Sequence, residues 1–280
     1  MSNPLVSVCI PAYNNADYIR ETIDSVLAST YNNLELIVVD DNSTDDTYAL
    51  VERIIEEKAD DRVRLYKNEH NLGMAGNWNE ALSKCSGKYI KLICADDLIS
   101  AECLAKEVEV LEQNEEAVTV SSDTAFVDLL GNTKKFSYKR YHASGLIDGI
   151  RACRFSVFTR DYLGAPLANT FRKSAYDSLG GFDNSFHYII DYDFFMKLYL
   201  SGKVYIIHEP LNFFRVRKDS NTGNVMGGGK EDAYIDEHRR LIEKYKGELG
   251  LSNFGVSLSV SIRRLMSFLG NIYLKISVPR

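Results

Sequence analysis

Long hydrophobic runs and an excess of positive charge are both missing from this sequence. No stretch approaches the roughly 18 consecutive apolar residues that indicate a transmembrane helix. The 280 residues have a formal net charge of -6, which argues against a general nucleic-acid-binding protein. The first residues lack a basic segment followed by a long apolar one, so we expect no signal peptide. We therefore predict a cytoplasmic protein with no membrane span and no nucleic-acid partner.

Cysteine is scarce, and two motifs are missing: a C-x-x-C pair, and a G-x-G-x-x-G after the first predicted strand. The five cysteines are an odd number and include no C-x-x-C pair. Several lie inside apolar segments, where a free thiol packs as a small hydrophobic group. This pattern predicts a reducing compartment and no structural zinc site. No G-x-G-x-x-G follows the first predicted strand, which argues against a dinucleotide-binding enzyme.

The first ~120 residues alternate short apolar segments with amphipathic ones, which is typical of a doubly wound sheet. We predict strands at 6–10, 34–39, 63–66, 89–95 and 117–121, and later strands at 169–172 and 204–207. Asn14 or Asn15 should cap the first helix, Ser43 with Asp46 the second, and Ser100 the fourth. A short helix at 174–179 should end at Gly180.

Two Asp-Asp pairs, Asp40-Asp41 and Asp96-Asp97, stand at the ends of the second and fourth predicted strands. Open α/β sheets bind ligands in the crevice outside the carboxyl ends of their strands. Two acidic pairs at one edge favour a ligand with hydrogen-bond donors and a divalent metal. A nucleoside diphosphate with Mg²⁺ or Mn²⁺ fits that description.

Six segments then occur in a characteristic order: CIPAYNN (9–15), VVDDNSTDDT (38–47), NLGMAGNWN (71–79), ADD (95–97), GGFD (180–183) and IDYDFFMKL (190–198). In this order and spacing the chain resembles the family-2 glycosyltransferases over roughly residues 5–220. The resemblance implies the α/β GT-A fold, a doubly wound, mostly parallel sheet with flanking helices. It also implies inverting transfer of a sugar from a nucleotide diphosphate donor to an acceptor hydroxyl.

The resemblance assigns the donor site residue by residue. Pro11, Ala12, Tyr13 and Asp41 match the positions that hold the pyrimidine, which indicates a UDP- or dTDP-sugar. An aromatic face can stack on a base, and a carboxylate can accept a hydrogen bond from N3–H. The A-D-D variant of the D-x-D motif places Asp96 at the ribose and Asp97 at a Mn²⁺ or Mg²⁺ ion. The alternative for each acidic pair is a turn-forming or solvated role.

Asp191 matches the catalytic base of the family, which removes the proton of the acceptor hydroxyl. The family usually has Glu-Asp here, whereas this chain has Ile190-Asp191, so a contact to the acceptor is in doubt. A carboxylate is ionised at neutral pH and can take a proton as the acceptor oxygen attacks. The alternative is that Asp191 only caps the following helix.

Weaker candidates come from two further segments. Asn71, Gly73 and Asn79 match a loop near the nucleotide, and Trp78 replaces a basic residue that many members have, so we interpret Trp78 as core. In FRVRKDSNT (214–222) the family's histidine is Arg217, and Arg215 or Arg217 can clamp a phosphate. A solvated surface role is the alternative for these arginines. His208 is expected to be structural.

The domain plan has three parts. We predict a GT-A domain at 1–230, divided into a nucleotide-binding half (1–122) and an acceptor half (123–230) with a mobile loop at 221–230 that closes over the donor. A helical appendage follows at 231–280. From Leu251 onward there are four basic and no acidic residues on an amphipathic helical pattern. That segment either contacts an anionic membrane at the inner face of the plasma membrane, or packs on the domain or on a second copy.

Two other functions stay open. A non-catalytic module that binds nucleotide sugars would follow if Ile190, Trp78 and Arg217 marked a dead site. A sugar nucleotidyltransferase shares the sheet plan but would normally have a Gly-rich basic loop after the first strand, which CIPAYNN does not provide. For the enzyme, the expected partners are the nucleotide-sugar donor and a glycan or lipid-linked sugar acceptor, with a role in bacterial surface polysaccharide assembly.

Overall fold

A computed structural model describes residues 3–128, 133–138, 141–217 and 230–277, of which 133–138 and 269–277 are described by backbone alone. The predicted loop at 221–230 lies outside the described residues except for Lys230. The strands are β1 (Val6–Ala12), β2 (Leu34–Asp40), β3 (Val63–Lys67), β4 (Tyr89–Leu92), β5 (Leu98–Ile99), β6 (Ala117–Val127), β7 (Thr133–Tyr138), β8 (Gly145–Asp148), β9 (Asn169–Arg172) and β10 (Lys203–Arg215).

Helices separate and flank these strands. They are α1 (Ile19–Leu27), α2 (Thr47–Lys58), α3 (Gly73–Ser83), α4 (Cys103–Gln113), α5 (Gly149–Val157), α6 (Lys173–Leu179), α7 (Ile190–Leu200), α8 (Glu231–Tyr245) and α9 (Asn253–Ser277), with a 3-10 turn at Pro166–Ala168. Within the described residues none of these helices is both long and apolar enough to cross a membrane.

All strands form one sheet in the order β3-β2-β1-β4-β9-β6-β10-β5, with β7 on β6 and β8 on β10. The pairs β1–β2, β1–β4, β2–β3 and β6–β10 are parallel. Since β9 is antiparallel to both β4 and β6, the strands of these pairs all run in one direction. The prediction of a mostly parallel α/β sheet is therefore confirmed. Its carboxyl edge gathers the ends of β1, β2 and β4.

Both faces of the sheet are buried. Alternate residues of β1 point to opposite sides, so Val8 and Ile10 pack in one hydrophobic cluster and Cys9 in the other. In β2, Leu36 and Ile37 divide in the same way. This explains why these strands appear in the sequence as continuous apolar runs without alternation.

Several predicted boundaries and caps are wrong. The fourth strand ends at Leu92, β6 continues to Val127, and β10 continues to Arg215 because β6 and β5 pair with its second half. The residues before α1, α2 and α4 make no side-chain capping bond. Gly180 does follow α6, with φ +67°, as predicted.

Candidate active site

The loops after β1 and β2 are joined at the carboxyl edge of the sheet. Ala12 pairs with Asp40, and the chain then turns through Asn14 and Asn42, which have φ of +53° and +58°. Asparagine adopts this left-handed conformation more readily than most residues. The Asn14 N–H donates to Ser43 Oγ at 3.0 Å. Tyr13 lies beside this turn with 46% of its surface exposed, as a base-stacking residue requires, while Pro11 and Ala12 are buried in the strand.

Asp41 is buried and holds the start of α3. Its Oδ1 accepts from Asn68 Nδ2 at 2.7 Å and from the Leu72 N–H at 2.8 Å, and its Oδ2 accepts from the Gly73 N–H at 3.0 Å. Asn71 reinforces the same turn, since its side chain donates to the Asp41 carbonyl at 3.1 Å. Backbone N–H groups at a helix start favour a carboxylate. The predicted base contact of Asp41 would use the remaining acceptor capacity of these oxygens.

Asn79 connects α3 to the GGFD segment. Its Nδ2 donates to the Phe182 carbonyl at 2.9 Å, and its Oδ1 accepts from the Phe182 N–H at 2.7 Å. The neighbouring Trp78 is 8% exposed and packs edge-on against the Phe182 ring at 4.9 Å between centroids. The interpretation of Trp78 as core is confirmed. The donor contact predicted for Asn79 stays a prediction, and the contact observed is a tether.

Asp97 is a buried carboxylate with one oxygen engaged. Oδ1 accepts from the Arg215 N–H at 3.0 Å, whereas Oδ2 has no hydrogen-bond partner among the described residues. Burial, followed by the adjacent Asp96 carboxylate, raises the pKa of Asp97 well above its usual range. A bound cation would stabilise a buried carboxylate of this kind, because one of its oxygens accepts no hydrogen bond in the described part of the chain.

Two arginines of the segment after β10 approach this acidic pair differently. Arg215 is fully buried, and its guanidinium donates to the Asp96 carbonyl at 2.8 Å and pairs with Glu21 at 2.6 Å. Arg217 lies 3.4 Å from Asp96 Oδ2 and stacks over Tyr18 at 4.7 Å. Arg215 is therefore a structural support of the strand end. Arg217 is the basic side chain that faces the site.

The acidic pair suits a divalent ion held by few protein ligands. Among the described residues no three His, Cys, Asp or Glu side chains cluster as a self-sufficient metal site. Mg²⁺ and Mn²⁺ accept oxygen ligands, and Mg²⁺ is commonly held by one or two carboxylates together with substrate phosphates. Asp97 Oδ2, which accepts no hydrogen bond from the described residues and belongs to the residue next to Asp96, fits that arrangement.

Asp191 lies in the first turn of α7, and backbone groups orient its carboxylate. Oδ1 accepts from the Tyr192 N–H at 2.9 Å and Oδ2 from the Ala165 N–H at 3.1 Å. Ala165 has φ +58°, an uncommon conformation that a non-glycine residue keeps only where its surroundings enforce it. Burial, followed by the charge of Asp161, raises the pKa of Asp191 to about 6. The helix is preceded by Ile189, so Asp191 is not its cap.

The acidic groups of the two halves converge on one place. Cys94, just before the A-D-D motif, has its pKa raised well above the usual value by burial and then by the charges of Asp97, Asp96 and Asp191. One thiol therefore lies within electrostatic range of all three carboxylates. The predicted metal ligand, ribose contact and base thus all act on the same thiol, although they are far apart in sequence.

Three residues near Asp191 were not singled out from the sequence. Asp161 lies in the loop after α5, Tyr234 on α8 and Arg263 on α9. The Arg263 guanidinium hydrogen-bonds the Tyr234 hydroxyl, and both Asp161 and Asp191 act electrostatically on that hydroxyl. A signal for Arg263 existed, because it lies at helical spacing from Val256 and Val260 on the buried face of α9.

His208 lies within β10, where its Nδ1 is 3.3 Å from both oxygens of Asp123. The expectation of a structural role agrees with this contact. The predicted strand at 204–207 ends just before His208, whereas the observed strand continues past a bulge to Arg215.

The sequence also matches a known family. The model of the family described as Glycosyl transferase family 2 matches residues 7–165. An uncharacterized glycosyltransferase of Rickettsia typhi is 32% identical over 226 residues, which is 80% of this chain and 67% of that protein. A glucosyltransferase of Escherichia coli, WfaP, named for transfer from UDP-Glc to α-D-GlcNAc-diphosphoundecaprenol, is 38% identical over 39% of this chain and 41% of its own. The chain spans 36% and 53% of two Haemophilus influenzae relatives.

Solved structures share the fold. Staphylococcus aureus TarS 1–349 in complex with UDP-GlcNAc superposes with a TM-score of 0.70 and 19% identity, covering 96% of this chain and 72% of TarS 1–349. The mannosyltransferase PcManGT of Pyrobaculum calidifontis, in complex with GDP-Man and Mn²⁺, gives a TM-score of 0.68 and 18% identity, with 100% and 77% coverage. At these identities the likeness concerns the fold.

Proposed function

The chain belongs to glycosyl transferase family 2, and on that premise we propose that it transfers a sugar from a UDP- or dTDP-sugar to an acceptor hydroxyl with inversion. The observation that carries this proposal is that Asp96, Asp97 and Asp191 all lie within electrostatic range of one thiol, that of Cys94. Two carboxylates in different surroundings can then perform different tasks. Asp97 has an oxygen that accepts no hydrogen bond from the residues that the structure describes and can bind a cation. Asp191 is oriented by two backbone N–H donors and accepts the proton of the acceptor hydroxyl.

The donor is proposed to lie across the carboxyl edge of the sheet. Tyr13 offers an exposed ring for the pyrimidine, next to Asp41. Asp96 faces the ribose, and Arg217 lies beside it with a charge suited to a phosphate. In support, the TarS structure holds UDP-GlcNAc. Asn71 and Gly73 complete the loop that Asp41 holds in place.

We propose Mn²⁺ or Mg²⁺ as the cofactor, held by Asp97 with Asp96 nearby. When bound, the ion would supply positive charge that stabilises the departing diphosphate. The PcManGT structure contains Mn²⁺. In the chain itself, the buried Asp97 carboxylate is the group whose charge such an ion would balance.

Asp191 is proposed as the general base. Its carboxylate removes the proton of the acceptor hydroxyl as that oxygen forms a bond to the anomeric carbon. The bond from that carbon to the diphosphate breaks on the opposite side, and the nucleoside diphosphate leaves with its electron pair. A pKa of about 6 keeps Asp191 mostly ionised at neutral pH and close to the value that favours proton transfer.

We propose a glycan or a lipid-linked sugar as acceptor and bacterial surface polysaccharide assembly as the role. The name of the E. coli relative WfaP supports this, since its acceptor is a diphosphoundecaprenol-linked sugar. We also propose a cytoplasmic protein that contacts the inner face of the membrane through residues 251–280. The exposed apolar side chains of α9 support that contact.

The donor site can be tested by thermal unfolding with UDP, dTDP and GDP, each with and without Mn²⁺. A ligand that binds only the folded state raises Tm, by mass action. We expect UDP or dTDP to raise Tm only with Mn²⁺, and Asp97→Ala to abolish that rise. Asp177→Ala, which removes an exposed carboxylate paired with Lys173, should leave it intact.

Other outcomes would redirect the assignment. Equal stabilisation with and without Mn²⁺ would contradict the metal role of Asp97. Stabilisation by UDP without release of UDP from any UDP-sugar, tested with acceptors, would favour a non-catalytic binding module. Stabilisation by GDP alone would overturn the pyrimidine assignment.

A further inference from the structure

Two carboxylates, those of Asp161 and Asp191, approach each other beside Gly164. A Cβ atom at Gly164 would lie 2.3 Å from Asp161 Oδ2 and 3.2 Å from Asp191 Oδ2. The two oxygens therefore lie no farther apart than the sum of these distances, and a side chain at position 164 would displace the Asp161 carboxylate. Such proximity of like charges makes the two groups titrate together.

Asp161 also shapes the loop that orients Asp191. Its Oδ1 accepts from the N–H groups of Leu163 at 2.9 Å and Gly164 at 2.8 Å. The next residue, Ala165, is held at φ +58° and directs its N–H at Asp191 Oδ2. One side chain thus fixes a strained turn whose end donates to the base.

The C-terminal helices bring a positive charge to the same place. Arg263 is buried, hydrogen-bonds the Tyr234 hydroxyl, donates to the Ser156 carbonyl at 3.3 Å and lies 5.8 Å from the centre of the Tyr192 ring. The Arg263 charge acts on both tyrosines, as does the charge of Asp161. Arg263 and the two carboxylates therefore act with opposite sign on one hydroxyl, that of Tyr234.

We propose that Asp161 and Arg263 are positioning residues that set the charge and orientation of Asp191, so that the C-terminal helices complete the catalytic centre. This rests on the proposed glycosyl transfer. Asp161 makes Asp191 a stronger base by adding negative charge, and Arg263 limits that effect. The charge of Asp161 acts on Asp191 itself. Arg263 acts on the hydroxyls of Tyr192 and Tyr234, and Asp191 acts on the Cys94 thiol together with Asp96, Asp97 and Arg217.

The pH dependence of kcat should report the protonation of Asp191. Because only the ionised carboxylate can accept a proton, activity falls as the pH drops through the raised pKa of about 6. Asp161→Asn removes a like charge and should move the acidic limb of kcat to lower pH, by about one unit. Arg263→Met removes the opposing charge and should move it to higher pH. A merely structural role would lower kcat in both variants without opposite shifts.

The experiment is a carboxyl ¹³C NMR titration of the full chain, followed by kcat against pH. The signal expected near pH 6 should vanish in Asp191→Asn, shift down in Asp161→Asn and shift up in Arg263→Met. Arg263→Lys should restore the wild-type position. Arg264→Met, which removes an exposed charge on the same helix, should change nothing.

The titration does not need an active enzyme, so the two proposals can fail separately. If the titration behaves as expected but no donor is turned over, the proposed function fails and the pairing stands. An Asp191 signal that stays in place in both Asp161→Asn and Arg263→Met would overturn the pairing, even in an active enzyme. If Arg263→Met does not fold, the Asp191 titration is compared in Asp161→Asn and Arg263→Lys alone. A downward shift in Asp161→Asn with no shift in Arg263→Lys supports the pairing, and no shift in Asp161→Asn overturns it.

Discussion

Asp97 and Asp191 have the same functional group and a pKa raised by burial, yet their surroundings assign them different chemistry. Asp97 leaves one oxygen without a partner beside a second carboxylate, so its negative charge calls for a cation. Asp191 is held by two backbone donors and its neighbour Asp161 keeps proton affinity high. The acid–base assignment thus depends on the partners of each group, not on its residue type.

At this scale the decisive variant is Asp191→Asn. The amide has nearly the same shape but cannot accept the acceptor proton, so we expect transfer to fall by at least about 100-fold, the usual range for loss of a general base. Donor binding should persist, because the residues proposed to hold the pyrimidine and the metal lie at or after the ends of β1, β2 and β4 and are not on α7. Sugar transfer and UDP binding are measured on the same preparation. Near-normal turnover would remove Asp191 from the mechanism.

Among single residues, the sequence predicts those that belong to short motifs and misses those that do not. Asp97 and Asp191 are apparent because each stands in a segment with a recurring pattern. Asp161 and Tyr234 come from a loop and a helix without such a pattern, and only folding brings them within electrostatic range of Asp191, the proposed base. The observed contacts of Asp41 and Asn79 are likewise visible only in three dimensions.

At the scale of elements, the strands of the first half follow from their apolar runs, whereas later elements depend on their partners. The strand β9 enters the sheet between β4 and β6, although about 50 residues separate it from β6 in the chain. The strand β10 is long because β8 and β5 pair with successive parts of one edge. The sequence pattern of residues 204–215 does not predict the pairing of β10 with β8 and β5.

The two hydrogen bonds between Asn79 and Phe182 join α3 to the loop before α7, and their contribution to stability can be tested. Asn79→Ala would leave both the N–H and the carbonyl of Phe182 without their partner, and Phe182 is buried. We expect a loss of about 1–3 kcal/mol in the free energy of unfolding, measured by urea denaturation. Asn32→Ala, at an exposed position, is the matched control. A variant of unchanged stability that no longer binds UDP would instead support the donor contact predicted for Asn79.

At the scale of the whole molecule, the C-terminal helices form part of the domain. Asp193 of α7 accepts from Lys244 at 2.8 Å and from the Tyr245 hydroxyl at 2.9 Å. Glu237 accepts from the N–H groups of His187 and Tyr188, each at 2.8 Å. These contacts join α8 to the start of the helix that holds Asp191. The buried face of α9 also packs on the domain, since Val256 lies in the core and Ser259 donates to the Val157 carbonyl. Packing on the domain, one of the alternatives for the segment from Leu251 onward, thus holds for that face.

The opposite face of α9 supports the other alternative. Phe254, Leu258, Leu265 and Phe268 are 77%, 42%, 57% and 60% exposed and follow one another at helical spacing. A contiguous exposed apolar stripe is uncommon on a protein surface and marks an interaction site. The sequence from Leu251 onward contains basic but no acidic residues, so we expect an anionic lipid surface as its partner.

We therefore expect the full chain to sediment with vesicles that contain phosphatidylglycerol, and much less with vesicles of phosphatidylcholine alone. Leu265→Glu combined with Phe268→Glu should abolish binding, because each change places an acid where an apolar ring or chain would enter the lipid. The pair Glu56→Gln and Glu57→Gln, on α2, is a surface control. Added salt should weaken binding, since charge attraction is screened. A double variant that binds vesicles normally but converts a dimer to a monomer would show instead that the stripe covers a second copy.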